Sequence, residues 1–173
     1  MSLLLRWLAS TDGPSFWAAP INEWRLERWT YDGHRVAELV GEREWFDPWV
    51  HRSKVRSLDR APETFTAGLA ADTLGVWMLF GIAAPEWKEA LDTLRDQMGN
   101  RMIRPGGRYH DTVLELVHPV RGTLVASTRL EGSWSGFVGP GRIWRTWIDA
   151  DGKAHTIVAA VALSRQPDQE SRE

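Results

Sequence analysis

The chain has 173 residues, 43% of them hydrophobic and 25% charged, with a formal net charge of −2. That describes one ordinary globular domain, long enough to bury roughly 70% of the surface its unfolded form exposes, and its near-neutral balance offers no electrostatic footprint for nucleic acid or an anionic membrane. The lack of Cys excludes disulfides, thiolate nucleophiles and Cys-ligated zinc and leaves the cellular compartment open.

At the start, the apolar run Leu3-Leu4-Leu5 is broken by Arg6, too short for the core of a secretory signal, so Leu3–Leu8 reads as a strand. No stretch reaches the roughly 20 apolar residues of a membrane-spanning helix. The first hairpin spans Trp24–Val40 around Asp32-Gly33, where Gly supplies the positive φ expected of a two-residue turn. A short strand, Glu44–Phe46, ends at Asp47-Pro48, and the charged, turn-rich residues Trp49–Glu63 read as a long connection.

The second hairpin, Leu69–Ile82, turns at Gly75. Its unbroken run Val76-Trp77-Met78-Leu79-Phe80-Gly81-Ile82 predicts a strand covered on both faces and the best buried in the fold. A helix is expected over about 85–98: Pro85 suits a first turn, Trp87, Leu91, Leu94 and Met98 share one side, and Gly99 stops it. The Pro105-Gly106-Gly107 loop then returns the chain to a third hairpin, Thr112–Thr128 around Gly122. Ser135–Gly139 leads through Pro140-Gly141 into the fourth, Ile143–Val161 around Asp151-Gly152. Residues 1–164 thus form one repeat domain, and the polar run Arg165–Glu173 is expected to be a disordered tail.

Antiparallel units repeated in series, each with an apolar face that only a neighbour can bury, point to an all-β repeat architecture. The segments FTAGLAADTLGVWMLF (Phe65–Phe80), DTVLELVHPVRGTLVAS (Asp111–Ser127) and GRIWRTWIDADGKAHTIVAAVAL (Gly141–Leu163) resemble blades of bacterial six-bladed β-propeller proteins of the NHL-like kind. The resemblance runs from about Leu3 to Leu163 and covers C-terminal blades only. It implies a partial propeller of about two to three four-stranded blades with a helical insertion, drawn from a family that is often exported and that meets ligands or partners on one face of its disc.

Eleven Trp are the most unusual count. Trp7, Trp24, Trp77, Trp144 and Trp147 lie within strands and read as core, whereas Trp45 and Trp49 flank Asp47-Pro48, precede His51, and are candidates for a partner or ligand surface. The five His have no partner at metal-ligand spacing. His110-Asp111 are adjacent on a strand and so point to opposite faces. Asp149-Ala150-Asp151-Gly152 opens like a calcium loop but lacks the remaining ligands. Gly132-Ser133-Trp134-Ser135-Gly136 carries Trp where a hydrolase elbow needs Ser. Arg101, Arg104 and Arg108 beside Gly106-Gly107 are residues able to hold an anion. The candidate surface therefore comprises Trp45, Trp49, His51, Arg104 and Arg108, with no catalytic residue, metal ligand or cofactor assigned.

The expectation is a non-enzymatic binding or scaffold module, either part of a larger propeller or completed by self-association through exposed sheet edges, with no nucleic acid and no membrane span. A metal-dependent hydrolase or lyase of the six-bladed type would need carboxylates and His converging from successive blades. A third reading is a closed β-barrel holding a small ligand among the Trp side chains.

Overall fold

The computed structural model describes residues 6–11, 13–49, 61–95, 97, 101–139 and 141–164. Three antiparallel sheets build the body. Sheet I runs β1 (Arg6–Ser10), β2 (Ser15–Pro20), β3 (Arg25–Thr30), β4 (Arg35–Val40), each strand beside the next in sequence. Sheet II pairs β5 (Phe65–Ala71), β6 (Val76–Ala83), β9 (His110–Val117) and β10 (Leu124–Leu130) in that order. A two-stranded hairpin, β7 (Leu91–Arg95) with β8 (Arg101–Ile103), is inserted between β6 and β9. Sheet III has three strands, β11 (Gly136–Gly139), β12 (Arg142–Ile148) and β13 (Ala154–Ala160).

Side-chain alternation decides how the sheets stack. In β6, Val76, Met78, Phe80 and Ile82 point one way and join Trp17, Ala19 and Leu26 of sheet I in one core. Trp77 and Leu79 point the other way and meet Leu114, Leu116 and Ile143 in a second. Sheet II is therefore the middle layer, and the doubly apolar β6 is buried from Val76 to Ile82, as its sequence predicts. The first strands lie together, β1 and β11 each against β5. Among the described residues, none of the three sheets closes on itself into a barrel.

The four predicted Gly turns are present, but the first is not a two-residue turn. Gly33 (φ +90°) is the one left-handed residue there; its N–H bonds to Thr30 O while Thr30 N–H bonds to His34 O. This is a four-residue turn followed by a bulge, which needs one positive φ rather than two. Asp149–Lys153 repeats it with Gly152 at φ +79°. Glu44–Phe46 is a turn rather than a strand, closed by Phe46 N–H on Arg43 O at 2.9 Å.

No helix occurs among the described residues, which corrects the expectation for 85–98. From Ala84 to Leu91 the chain makes successive short turns, with Trp87, Ala90 and Leu91 N–H groups bonding three residues back. The carbonyl of Ala90, which a helix would give to residue 94, instead accepts from Arg104 N–H at 2.8 Å. Asp92 reinforces the break by accepting from Leu94 N–H, a local bond that competes with helix. Trp87, Ala90 and Leu91 do cluster with Tyr109, but Leu94 is 65% exposed, so the apolar stripe is not one buried face. Leu3–Leu5, most of the expected connection 49–63, Met98 with Gly99, and the expected tail 165–173 lie outside the described residues.

Candidate interaction surface

The sequence-based candidates divide. Trp45 is half-buried and packs edge-on against Phe80 (5.1 Å between centroids) and Phe46, so it belongs to the core. Trp49 is a latch between chain segments: its indole N–H donates to Thr64 O at 2.8 Å, its backbone N–H donates to Asn22 O, and its carbonyl accepts from the Asn22 side chain. His51 lies outside the described residues. Of the Trp expected within strands, Trp24 and Trp77 are buried and Trp144 is half-buried; Trp7, on the edge strand β1, and Trp147, at the turn end of the central strand β12, are expected in the core but are each 39% exposed.

Arg104 and Arg108 do come together, in an open cleft of about 280 Å³ that Glu86 and Glu89 also line. The cleft does not present an anion cradle. Arg108 is bound bidentately by Asp111 at 2.6 and 2.7 Å and pairs with Glu86 and Glu131; the hydrogen bond with Asp111 raises its pKa. The nearby amides are committed too, Gly106 N–H to Ile148 O and Gly107 N–H to Arg104 O.

Three buried carboxylates organise the molecule. Asp111, fully buried, accepts from Arg108, Arg129 and Gly132 N–H. Burial opposes its ionisation, but these donors prevail and its pKa lies below the ordinary carboxylate value. Glu115 faces sheet I and accepts from Trp24 Nε1 and Arg43 Nε, each at 2.8 Å, with the Arg43 guanidinium over the Trp24 ring. Glu27 gathers Arg6, Arg25, Arg35 and the Trp29 indole on the outer face of sheet I. Every one of these carboxylates is engaged by guanidinium or N–H donors, which makes them braces between segments. His110 sits edge-on to Phe65 and Tyr109. Among the described residues no group of three or more His, Asp and Glu side chains is placed to hold a metal.

The Asp149 turn carries one further polar pair. His155 Nε2 lies 2.6 Å from Asp149 Oδ2, and its ring stacks on Trp147 at 5.0 Å. That bond, together with the Lys153 and Asp151 amides, holds the Asp149 pKa below the usual range.

Among the described residues, sheet III keeps an uncommitted surface. Its inner face, Phe137, Ile143 and Ala159, packs on sheet II. Register places Trp144 with Val158, Thr146 with Thr156 and Ile148 with Ala154 on the opposite face. Ile148 and Val158 are each 54% exposed there. The corresponding outer face of sheet I is covered by the Arg–Glu27 network, whereas this one is apolar apart from Arg142 and the two Thr.

The edges differ as well. β4 carries Arg35 and Glu38 and a register shift against β3. β10 carries Arg129 and a shift against β9. β13, Ala154–Ala160, has no Asp, Glu, Lys, Arg or Pro and pairs with β12 without a shift over all seven residues. Charges and bulges are the devices that keep edges from recruiting another strand; β13 has neither. The Trp and Arg signals in the sequence miss this surface, which is marked only by the neutral run Ala154–Ala160. Comparisons with protein-family models, with curated proteins and with solved structures gave no match.

Proposed function

We propose that this chain is a non-enzymatic binding or scaffold module, a partial β-propeller that associates with further β-structure. The radial arrangement draws support from the three meandering sheets stacked face to face with β1, β5 and β11 side by side. One observation carries the functional reading: sheet III has the strand grammar of sheet II, yet among the described residues nothing covers its outer apolar face or pairs with its β13 edge. Uncovered apolar face and unpaired edge are the two features through which sheets recruit partners. The carboxylates argue in the same direction, because Asp111, Glu115 and Glu27 are all engaged in internal braces.

Sedimentation velocity of the whole chain, from about 1 μM to about 1 mM so as to bracket weak and ordinary affinities, tests the reading. Reversible association is the expected result. A monomer across the whole range that also fails to bind a hydrophobic surface dye overturns it.

A further inference from the structure

Resting on that reading, we propose that the partner is a second copy of this chain and that the contact is β13 against β13, antiparallel, about a two-fold axis at Ile157. The hydrogen-bond phase of the strand leads there. Asp149 N–H bonds to Lys153 O at one end of the β12–β13 ladder and Val161 N–H bonds to Gly141 O at the other, and no register shift intervenes. Hydrogen-bonded pairs alternate with non-bonded ones along an antiparallel ladder. Counting in steps of two from Lys153 to Val161, His155, Ile157 and Ala159 turn their backbone groups toward β12. Ala154, Thr156, Val158 and Ala160 therefore turn theirs outward.

Centring a two-fold axis on Ile157 matches all seven residues of β13 to their copies. Ala154 then faces Ala160 of the second copy, Thr156 faces Val158, and Ile157 faces itself. The outward groups fall into bonded pairs, about eight backbone hydrogen bonds in all. No Asp, Glu, Lys or Arg side chain enters the contact, and the β-branched Thr156, Ile157 and Val158 supply the cross-strand contacts that favour pairing. The edges β4 and β10 of a second copy fit less well, since they bring charges and bulges that interrupt a regular ladder. An edge meeting itself closes after two copies, so the product is a dimer rather than a filament.

The test uses the absence of native Cys. Ile157→Cys, oxidised under mild conditions, is expected to cross-link to its copy, while Ala159→Cys, which would face residue 155, is not. Val158→Pro removes an outward N–H without touching the β12 ladder, a position where an edge strand tolerates Pro. It is expected to raise the dimer dissociation constant at least about tenfold, read from the concentration midpoint of association. Ile148→Lys, on the open face of the neighbouring strand, is expected to leave the dimer intact. Should Ile148→Lys abolish association while Val158→Pro associates like the wild type and Ile157→Cys fails to cross-link, the edge contact is overturned and association through the face stands. Oligomers growing beyond two likewise overturn the edge contact. A wild-type monomer at every concentration removes both.

Discussion

Sheets II and III are built from the same parts, antiparallel strands joined at Gly turns, and end in different situations. Sheet II lies between two neighbours, and β6 places apolar side chains on both faces, with Met78, Leu79 and Phe80 wholly inaccessible. Sheet III has one neighbouring sheet among the described residues. Its inner face is apolar where it meets sheet II, and its outer face mixes Trp144, Ile148 and Val158 with Thr146, Thr156 and Arg142. Burial on both sides commits a strand to the fold, so stability is concentrated in the middle layer. Burial on one side leaves the other available to a partner.

Substitutions in the middle layer should open the widest gap between the two sheets. Phe80→Ala deletes a ring held by Trp45 and Phe46, and is expected to cost about 3–5 kcal/mol in urea unfolding, through lost burial and the cavity left behind. Ile148→Ala on the open face of sheet III, measured at low concentration, is expected to change folding stability by no more than about 0.5 kcal/mol. Equal costs would mean that the two sheets are not distinguished as described.

Slightly smaller is the effect of the brace that ties sheet II to sheet I. Glu115→Ala leaves the Arg43 guanidinium and the Trp24 N–H without their acceptor, and is expected to destabilise by roughly 3 kcal/mol, again in urea unfolding. The Asp111 brace adds a pH signature. Its folded pKa is depressed, so its contribution is present above the unfolded value of about 3.9 and is lost as pH falls through the folded value. Wild-type stability is therefore expected to drop steeply below about pH 4, and Asp111→Asn, less stable at neutral pH, to show a shallower decline in chemical denaturation over the same interval.

The turns provide the smallest effects and the finest comparison. At Gly75 (φ +152°) an added Cβ would lie 2.5 Å from Val117 O, whereas at Gly152 (φ +79°) it would meet nothing within 4 Å. Gly75→Ala is expected to cost about 1–3 kcal/mol, from backbone strain and the clash together. Gly152→Ala should cost about 1 kcal/mol, from the left-handed conformation alone. Thermal midpoints of the two variants decide it; a larger loss at Gly152 would contradict the packing described at the β5–β6 turn.

Much of the architecture was legible because turn chemistry is local. Gly33, Gly75, Gly122 and Gly152 mark their hairpins, and the run Val76–Ile82 announces a strand covered on both sides. Other elements left weaker traces. β2 is a short Ser15–Pro20 segment preceded by Pro14 and ending in Pro20, so composition hid a strand that pairs on both sides. The region 85–98 carries a helical spacing of apolar residues, and the competing bonds at Ala90 and Asp92 that turn it toward β7 involve Arg104 and local backbone that no periodicity reveals. Trp45 and Trp49 stood out as exposed candidates because they sit beside Asp47-Pro48, a loop by every local rule. Their partners, Phe80 and Thr64, come from sheet II and the segment leading into it.

The order of apolar runs and Gly turns suffices to make this protein a series of antiparallel β-hairpins with one strand buried on both faces, because hairpin formation and side-chain alternation depend on near neighbours along the chain. It took the assembled fold to establish that Glu115 finds Arg43 and Trp24 across 72 and 91 residues, that Arg108 is engaged by Asp111, and that sheet III keeps an open face and edge among the described residues. Those outcomes depend on which sheet lies against which. Burial and pairing between distant segments are properties of the stacked layers, and no local pattern encodes which surface the layers leave uncovered.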